Sequence, residues 1–575
     1  MGETAHIDST DTGMVMPPPS PEPPVTPPPP QEDGNSAFAP LQIPLFRDRW
    51  IASAVSNIGT WMQDTAGTWL MAVLTTSPLL IALMQTAASL PVLLLGLLAG
   101  ATADVYDRRK LLIFWQTWML ISVALLSVLT FVGIVSPVTL LLLTFLLNIG
   151  SAMNNPAWQA IVPELVPREE VPNAVALNSA SNNLARAVGP ALGGLLVAAF
   201  ALPVRGAAWV FTMNSASFAA VIWVLWRWHR TPLFRSALPA ERIAGSMRSG
   251  LRYLRYAPTL RAPMVRSFCF TFFVASVWSL LAVVARQDLR QGAMGYGILN
   301  GSLGLGAVLG ATSLARMRRR FAARHFLAFT SLWYLAALPL LALVHVPFVI
   351  IPVLIVCGFC WTSTMATLNT AVQITSPGWV QARALGMYQM IAMGGLALGS
   401  VAWGEIAERS STRTAFLCAA VGMAISLAFT LRVPVLEGAA PDLSPHRFKR
   451  PTPQVNMPPA PEQGPVRIVI RYTIPPEHYA QFTHVVHELE GVRLRSGAVR
   501  WGIWRYVDEP ERIEETFIME SWLDFLRARE RMTAADYAIR QRVIDLHAGV
   551  DPPSTQYQIY ARELSPELLP ISTTD

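Results

Sequence analysis

The segment Gly100-Ala-Thr-Ala-Asp-Val-Tyr-Asp-Arg-Arg-Lys110 separates two long apolar runs, and a partial copy of it, Gly310-Ala-Thr-Ser-Leu-Ala-Arg-Met-Arg-Arg-Arg320, follows 210 residues later. A second pair, Ala191-Leu-Gly-Gly194 and Ala397-Leu-Gly-Ser400, recurs at nearly the same spacing. Each copy occupies the same ordinal place in a group of six apolar runs. Because a parallel repeat of two six-helix halves is the plan of one large class of membrane transporters, the repeat favours transport over a channel or a membrane-embedded enzyme.

The composition is that of a membrane protein. Of the 575 residues, 52% are hydrophobic and only 14% are charged, and the mean hydropathy is +0.39. A soluble domain carries about 25% charged residues, and this much apolar surface cannot all face a core. The four cysteines (269, 357, 360 and 418) lie in apolar runs, which excludes a disulfide-stapled secreted scaffold. We therefore expect a polytopic membrane protein.

Apolar runs of roughly 20 residues, the length that crosses about 30 Å of hydrocarbon, alternate with short polar breaks from about Trp50 to Leu431. They predict twelve membrane-spanning helices at 50–74, 78–102, 111–133, 138–161, 174–200, 208–228, 264–286, 295–315, 325–345, 348–371, 384–407 and 414–433.

Lysine and arginine are distributed unevenly between alternate loops. One set of loops holds 20 of them and the other set holds 5. Since basic residues concentrate in cytoplasmic loops, both termini and the central loop are predicted to be cytoplasmic, in a multi-pass protein of the cytoplasmic (inner) membrane. The net charge of +7 is then a topology signal, and we expect no nucleic-acid partner.

The regions outside the apolar runs differ in composition. Prolines cluster in the first 44 residues, which we expect to be disordered, and again between 434 and 465. Residues 466–562 have the predicted element order strand-helix-strand-strand-helix-strand, with a break in the second helix, which is the order of a ferredoxin-like sandwich. The fold class is thus an all-α membrane protein of two six-helix pseudo-repeats with a small α+β cytoplasmic domain. The predicted parts are a disordered tail (1–44), the first transporter half (45–229), a basic linker (230–262), the second half (263–433), a Pro-rich linker (434–465), the soluble domain (466–565) and a tail (566–575).

The loop quoted first resembles a family motif. Gly100, Asp104, Arg108 and Arg109 fit the G-x-x-x-D-x-x-x-R-[RK] pattern between the second and third helices of the major facilitator superfamily. The resemblance implies that this loop locks one of two alternating states by pairing the two halves. The second copy has Leu314 in place of the acid, so a charge-relay role is not expected there.

A second motif lies in the fifth predicted helix. Gly189-Pro190-Ala-Leu-Gly193-Gly194 is similar to the G-P-x-x-G-G core associated with antiporters of the superfamily. Proline kinks a helix, and the glycines permit close helix approach, which suits a tight contact that must also slide. Ordinary packing of small residues is the alternative, and Ala185 stands where the motif has a further glycine.

A wider stretch, from Asn154-Asn-Pro-Ala-Trp-Gln-Ala-Ile-Val-Pro-Glu164 to Asn183-Leu-Ala-Arg186, resembles the enterobactin-exporter-like branch, the transmembrane secretion effectors. This resemblance implies proton-driven efflux of a small amphipathic molecule such as a siderophore or an antibiotic. It implies no enzyme activity and no cofactor. A proton symporter of the same fold is the alternative within this class.

Two charges lie inside predicted spans, where each costs about 2.5–3.5 kcal/mol on insertion scales. Asp64 lies midway along the first span and could bind a proton reversibly, or could be a structural acid bonded to a neighbouring helix. Arg186 precedes the Gly-Pro pair by three residues; it could be the counter-ion of Asp64, bind an anionic substrate, or extend to the membrane border. We predict proton or substrate coupling at both.

Other polar and aromatic residues are candidates for the substrate path. Asn178 and Asn182 offer polar groups in the fifth span, and Trp69 could stack on an aromatic substrate. Such residues more often join helices to one another.

The soluble domain resembles the antibiotic-biosynthesis-monooxygenase group of dimeric α+β barrels, through Trp501-Gly-Ile-Trp504 and Glu520-Ser-Trp522. The resemblance implies a homodimer through this domain, and leaves a membrane-tethered monooxygenase-like enzyme as the competing function. His484 and His487 share a helix face, but no third metal ligand has suitable spacing. We expect no metal site and no catalytic residues, with a small molecule, protons and the lipid bilayer as partners.

Overall fold

The computed structural model describes residues 38–228, 250, 252–432, 435, 442–444 and 459–560. Within these ranges, twelve helices of 20 to 32 residues lie between Pro44 and Leu431. Their ends agree with the predicted spans to within six residues. They are α1 Pro44–Leu74, α2 Pro78–Val105, α3 Arg108–Val132, α4 Pro137–Ala160, α5 Val171–Ala198, α6 Pro203–Arg227, α7 Pro258–Val283, α8 Ala293–Arg320, α9 Ala323–Leu343, α10 Pro347–Ile374, α11 Gly378–Arg409 and α12 Thr412–Leu431.

Local sequence signals explain where these helices begin. Six of them (α1, α2, α4, α6, α7 and α10) start at a proline, whose missing N–H is not needed in the first turn. Ser136 and Thr139 form a capping box before α4. Before α3, a carboxylate oxygen of Asp107 accepts a hydrogen bond from the Lys110 N–H at 3.0 Å. The short loops between helices are therefore set by capping residues that the sequence already displays.

Ten of the twelve helices are long and apolar enough to cross a membrane. The two exceptions are α1 and α5. The first turns of α1 carry Arg47, Asp48 and Arg49, and α5 carries several asparagines together with Arg186. Because polar side chains are costly in lipid, α1 and α5 can span a bilayer only with their polar faces turned into the bundle.

Helix packing follows the same pattern in the two groups of six. In the first group α1 packs on α5, α2 on α4 and α3 on α6; in the second, α7 packs on α11, α8 on α10 and α9 on α12. Between the groups, α2 packs on α11 and α5 on α8. Each of these three contacts in the first group therefore has its counterpart six helices later in the second.

The bundle is apolar on the outside as well as inside. One buried cluster includes Leu70 and Phe211 from the first group and Val274 from the second. Large apolar side chains also face outward, among them Phe348, which is 87% exposed, and Val138, which is 69% exposed. An outer surface of this kind is suited to lipid.

A small α/β domain follows the bundle. Its elements are β1 Val466–Thr473, α13 Tyr479–Ser496, β2 Arg500–Arg505, β3 Arg512–Met519, α14 Trp522–Glu530, α15 Ala534–Ile544 and β4 Ser554–Ile559. The strands form one sheet in the order β2-β3-β1-β4, and all neighbouring strands are antiparallel. The predicted element order is confirmed, including the broken second helix, because Thr533 and Asp536 form a capping box that starts α15.

This appended domain contacts the segment that precedes α7. Arg252 forms an ion pair with Glu520 at 3.1 Å and donates a hydrogen bond to the Gly497 carbonyl. The Arg531 guanidinium lies 4.4 Å from the ring centroid of Trp379, at the start of α11. The described contacts thus attach the domain to the second group of helices.

Candidate functional site

A cavity of about 240 Å³ lies between the two groups of helices. The first six helices all contribute to its wall, as do α7, α8, α10 and α11. The polar lining residues are Gln63, Asp64, Thr68, Gln85, Thr144, Arg186, Ser279, Tyr296 and Asn300. The aromatic ones, apart from Tyr296, are Trp61, Phe211, Trp278 and Trp361. A mostly apolar pocket with a few converging polar groups is the usual form of a small-molecule site.

Asp64 and Arg186 line this same cavity but do not form an ion pair. No described basic group lies within 4.0 Å of the Asp64 carboxylate, and no described residue hydrogen-bonds to it. The Arg186 guanidinium lies 5.3 Å from the ring centroid of Trp61, and its Nε is buried without a hydrogen-bond partner. The structure brings the two predicted residues together without making one the direct counter-ion of the other.

Several other polar groups in the wall already have hydrogen-bond partners. Asn214 donates to Gln63 Oε1 at 2.6 Å, Asn300 donates to Thr65 Oγ1 at 3.1 Å, and the side chain of Gln85 donates to Ser89 Oγ at 3.0 Å. Residues such as Gln63, Gln85, Tyr296 and Asn300 are missing from the sequence-based candidates. A polar side chain isolated within an apolar run is the signal that could have indicated Gln85 and Asn300.

The three predicted substrate-path residues lie at or beyond the edge of the cavity. Trp69 is buried behind the wall and stacks on Tyr296, with ring centroids 5.8 Å apart. Asn178 and Asn182 do not line the cavity, and Asn182 is exposed. With spacings of four and eight residues from Arg186, they continue its face of α5.

The glycines of α5 lie at two tight helix contacts. A Cβ on Gly193 would lie 2.7 Å from the Met62 carbonyl oxygen of α1, and one on Gly189 would lie 2.5 Å from the Cβ of Trp61. On the other side, a Cβ on Gly194 would lie 2.6 Å from the Ala293 carbonyl oxygen and 2.8 Å from Gly297 Cα, both in α8. Pro190 lies between these contacts and is itself buried. The motif therefore builds a close backbone contact between the two groups of helices.

Hydrogen bonds between the two groups cluster toward one end of the bundle. We call the end that carries Arg108, Arg109 and Lys110 the arginine-rich end, and the opposite end, with the loop at 75–77, the arginine-poor end. The clustered bonds lie at the arginine-poor end. The Glu408 carboxylate accepts hydrogen bonds from Ser77 Oγ at 2.7 Å and from the Leu79 N–H at 3.3 Å.

Two further hydrogen bonds join the two groups at the arginine-poor end. Arg286 donates to the Thr75 carbonyl at 3.4 Å, and Gln287 donates to the Thr76 carbonyl at 3.2 Å. Hydrogen bonds between the two groups whose partners are both described all lie at this end or near the middle of the bundle.

The arginines of the first motif bind within one group of helices. Arg108 donates to the Ala160 carbonyl and pairs with Glu164, both at 2.9 Å, and Arg109 donates to the Leu225 carbonyl at 2.9 Å. These two arginines cap the ends of α4 and α6. Their described contacts therefore do not make the expected pairing between the halves. The Asp104 side chain lies outside the described part of the chain, and a Cβ on Gly100 would contact nothing within 4 Å.

The appended domain contains a buried ion pair of a different kind. Arg493 donates to both oxygens of Glu515, at 2.9 and 3.2 Å. Tyr472 and Trp501 also donate to this carboxylate, at 3.0 and 3.1 Å. Burial by itself would raise the pKa of Glu515, but the Arg493 charge and these hydrogen bonds lower it. Glu515 is thus a charged, fully bonded group.

The two helix histidines of this domain do not form a metal site in the described residues. His484 is largely exposed and lies 3.7 Å from Glu488. His487 bonds to the Thr483 carbonyl oxygen and packs on Trp501. Among the described residues, no group of three His, Cys, Asp or Glu side chains could hold a metal ion.

Comparisons with known proteins agree with this architecture. A family model described as transmembrane secretion effector matches residues 35–564. The multidrug efflux pump Tap of Mycolicibacterium fortuitum is 26% identical over 397 residues, covering 68% of this chain and 94% of Tap. The enterobactin exporter EntS of Shigella boydii is 23% identical over 373 residues, covering 63% of this chain and 85% of EntS. Three further matches span only 37% to 58% of the relatives' own lengths.

The fold also resembles a solved transporter structure. A bacterial homologue of the human lysosomal transporter Spinster, in an inward-facing and unoccupied conformation, superposes with a TM-score of 0.53 at 16% identity. The alignment covers 68% of this chain and 97% of that one. At this identity the likeness concerns the fold.

Proposed function

The chain belongs to the transmembrane secretion effectors of the major facilitator superfamily, and from this premise we propose that it exports a small amphipathic molecule in exchange for protons. The named relatives Tap and EntS are an efflux pump and an exporter, which supports this direction of transport. A siderophore or an antibiotic is the proposed substrate, and the protein is proposed not to be an enzyme.

The observation that carries the proposal is the Asp64 carboxylate in the cavity wall. It lies between the two groups of helices, where a substrate path is expected, and no described residue neutralises it. A carboxylate in such a place can bind and release a proton as the cavity changes its exposure to water. Asp64 is therefore the proposed coupling group, and Arg186 the proposed second charge of the site.

The proposed architecture is twelve spans in two pseudo-repeats. The packing pattern that recurs after six helices supports it, and so do Arg108 and Arg318. Arg108 donates to the Ala160 carbonyl at the end of α4, and Arg318 donates to the Ala366 carbonyl in α10 at 2.8 Å. The divisions at 229, 262, 433 and 465 are proposed from the changes in composition along the sequence.

Alternating access is the proposed mechanism. With basic loops inside, the arginine-poor end would face outward, and the bonds of Glu408, Arg286 and Gln287 would keep it closed in this conformation. Both termini and the appended domain would then be cytoplasmic. Opening would require these bonds to break while the glycine contact of α5 and α8 slides. The appended domain is proposed to be a ferredoxin-like module that forms homodimers.

Inverted membrane vesicles test the proposal. They would be energised with a proton gradient and incubated with a panel of siderophores and antibiotics. We expect gradient-driven uptake in the unmodified protein and in Asp48→Asn, an exposed acid of α1 that lies beside Arg47. Uptake should be lost in Asp64→Asn and should survive deletion of residues 450–575.

Two results would contradict the proposal. Uptake that persists in Asp64→Asn would remove this residue from coupling. Absence of gradient-driven movement for the whole panel, together with quinol or haem oxidation that requires residues 450–575, would favour the membrane-tethered enzyme.

A further inference from the structure

We infer that the substrate carries a cationic group and an anionic group on an aromatic body, so that it meets Asp64 and Arg186 at the same time. This inference rests on the proposed proton-coupled efflux and adds the chemical class of its substrate. The evidence is the distribution of unpaired charges and unpaired hydrogen-bond donors over the cavity wall.

The first step concerns the two charges. Asp64 and Arg186 face one cavity, form no ion pair with each other, and have no other described ionic partner. An unpaired charge in a site of low polarity is costly. A ligand with a single charge would compensate only one of the two residues, whereas a ligand with opposite charges at its two ends compensates both.

The second step concerns the space between the charges. Arg186 lies over the ring of Trp61 at 5.3 Å, and Trp61 precedes Asp64 by three residues, a rise of about 4.5 Å along the helix. A ligand reaching from one charge to the other therefore passes over the Trp61 ring. Trp278 and Trp361 supply further aromatic surface in the same wall, and an aromatic body stacks well on such rings.

The third step concerns the donors. Arg186 Nε, Trp278 Nε1 and Ser279 Oγ are buried in or behind the wall and have no hydrogen-bond partner among the described residues. All three are groups that can donate, so the wall has spare capacity for acceptor atoms. A carboxylate or phosphate on the substrate supplies acceptors, while a protonated amine does not.

The fourth step concerns coupling. In an antiporter the proton and the substrate must compete, and the described titratable groups lining the cavity are Asp64, Arg186 and the phenol of Tyr296. A cationic group placed on Asp64 competes with a proton there. A purely anionic substrate would instead repel the ionised carboxylate and so favour the protonated acid, which would couple the two fluxes in the same direction. A cationic group on the substrate is therefore what suits exchange at Asp64.

Binding to the purified full-length protein, measured by calorimetry without any gradient, tests the inference. The probes share one body: an aminomethyl-biphenyl-carboxylate, its methyl ester, which has only the cation, and its N-acetyl derivative, which has only the anion. We expect the zwitterion to bind about tenfold tighter than either single-charge probe, the scale of one charge-assisted hydrogen bond.

Two variants assign each charge to its residue. Arg186→Gln should weaken the zwitterion and the N-acetyl probe but should not weaken the ester. Asp64→Asn should weaken the zwitterion and the ester but should not weaken the N-acetyl probe, while Asp48→Asn should alter none of the three.

Three outcomes would overturn the inference: equal binding of the N-acetyl probe and the zwitterion, a uniform loss for all probes in both variants, or no binding of any probe. The experiments distinguish a failure of the proposed efflux from a failure of the proposed ligand class. If the binding order holds but vesicles move no compound with the gradient, the proposed function fails. If a transported compound binds regardless of both residues, the ligand class alone fails.

Discussion

The helix bundle and the appended domain each place a carboxylate away from bulk water, but only the carboxylate of the appended domain has described ionic and hydrogen-bond partners. Glu515 is 0% exposed and accepts hydrogen bonds from Arg493, Tyr472 and Trp501. Asp64 faces a cavity and has no described partner. Buried charges that only stabilise a fold are paired and fully hydrogen-bonded. The difference indicates that Glu515 holds its domain together, whereas Asp64 is left available for an ion or a ligand.

The largest expected effect concerns the paired carboxylate. Glu515→Ala leaves the buried Arg493 without its counter-ion, which costs about 3–5 kcal/mol. Thermal unfolding of the full-length protein, monitored by the sheet signal of the appended domain, should shift strongly downward. Glu509→Ala, an exposed acid that pairs with Arg512, is the matched control and should unfold like the unmodified protein. Equal melting of both variants would contradict the structural role of Glu515.

The second effect concerns the unpaired carboxylate of Asp64, whose replacement should reduce transport and leave stability unchanged. Asp64→Asn keeps the side-chain volume but cannot exchange a proton, so gradient-driven accumulation should fall about 100-fold, near the upper end of measured couplings between sites. Its thermal unfolding should stay close to that of Asp48→Asn, because no described bond is lost. A marked loss of stability with retained accumulation would show that Asp64 resembles Glu515 after all.

A third effect tests the contact that must slide in the bundle. Gly194→Ala forces a Cβ against backbone atoms of α8, an overpacking that costs about 1–3 kcal/mol. Transport measured in vesicles should fall, while Gly386→Ala in α11, where a Cβ would contact nothing within 4 Å, should leave it unchanged. If both variants transport alike, the α5–α8 contact does not limit the cycle.

The smallest effect is the acid response of the appended domain. The folded-state pKa of Glu515 is lowered, so its contribution to stability is present above the ordinary glutamate pKa of about 4.3. It is lost as the pH falls through the lowered folded-state value. The free energy of unfolding, measured between neutral pH and pH 3, should therefore fall more steeply at the acid end. Glu515→Gln should remove that part of the pH dependence. An unchanged profile would contradict the assignment.

Helix positions were largely predictable, because apolar length, proline starts and capping residues are local signals. The bounds of α1, predicted at 50–74 and found at Pro44–Leu74, show the typical error: the polar first turns do not look like a membrane span. The order of strands and helices along the appended domain also follows from local patterns.

The wall of the cavity was only partly predictable. Asp64 and Arg186 are visible as charges in apolar runs. Gln85 and Asn300 are visible only as isolated polar side chains in apolar runs, and whether they or Tyr296 reach the cavity depends on the rotation of α2 and α8 about their axes. The contacts of Arg108 and Arg109 depend on where α4 and α6 end in space, which spacing along the chain does not reveal.

Proton-coupled export through Asp64 requires that a proton leaves this residue when substrate binds. The most direct measurement is the proton release on adding a transported compound to lightly buffered proteoliposomes that carry the full-length protein and no gradient. We predict release with the unmodified protein and with Asp48→Asn, and none with Asp64→Asn. Equal proton release from Asp64→Asn would contradict the central claim.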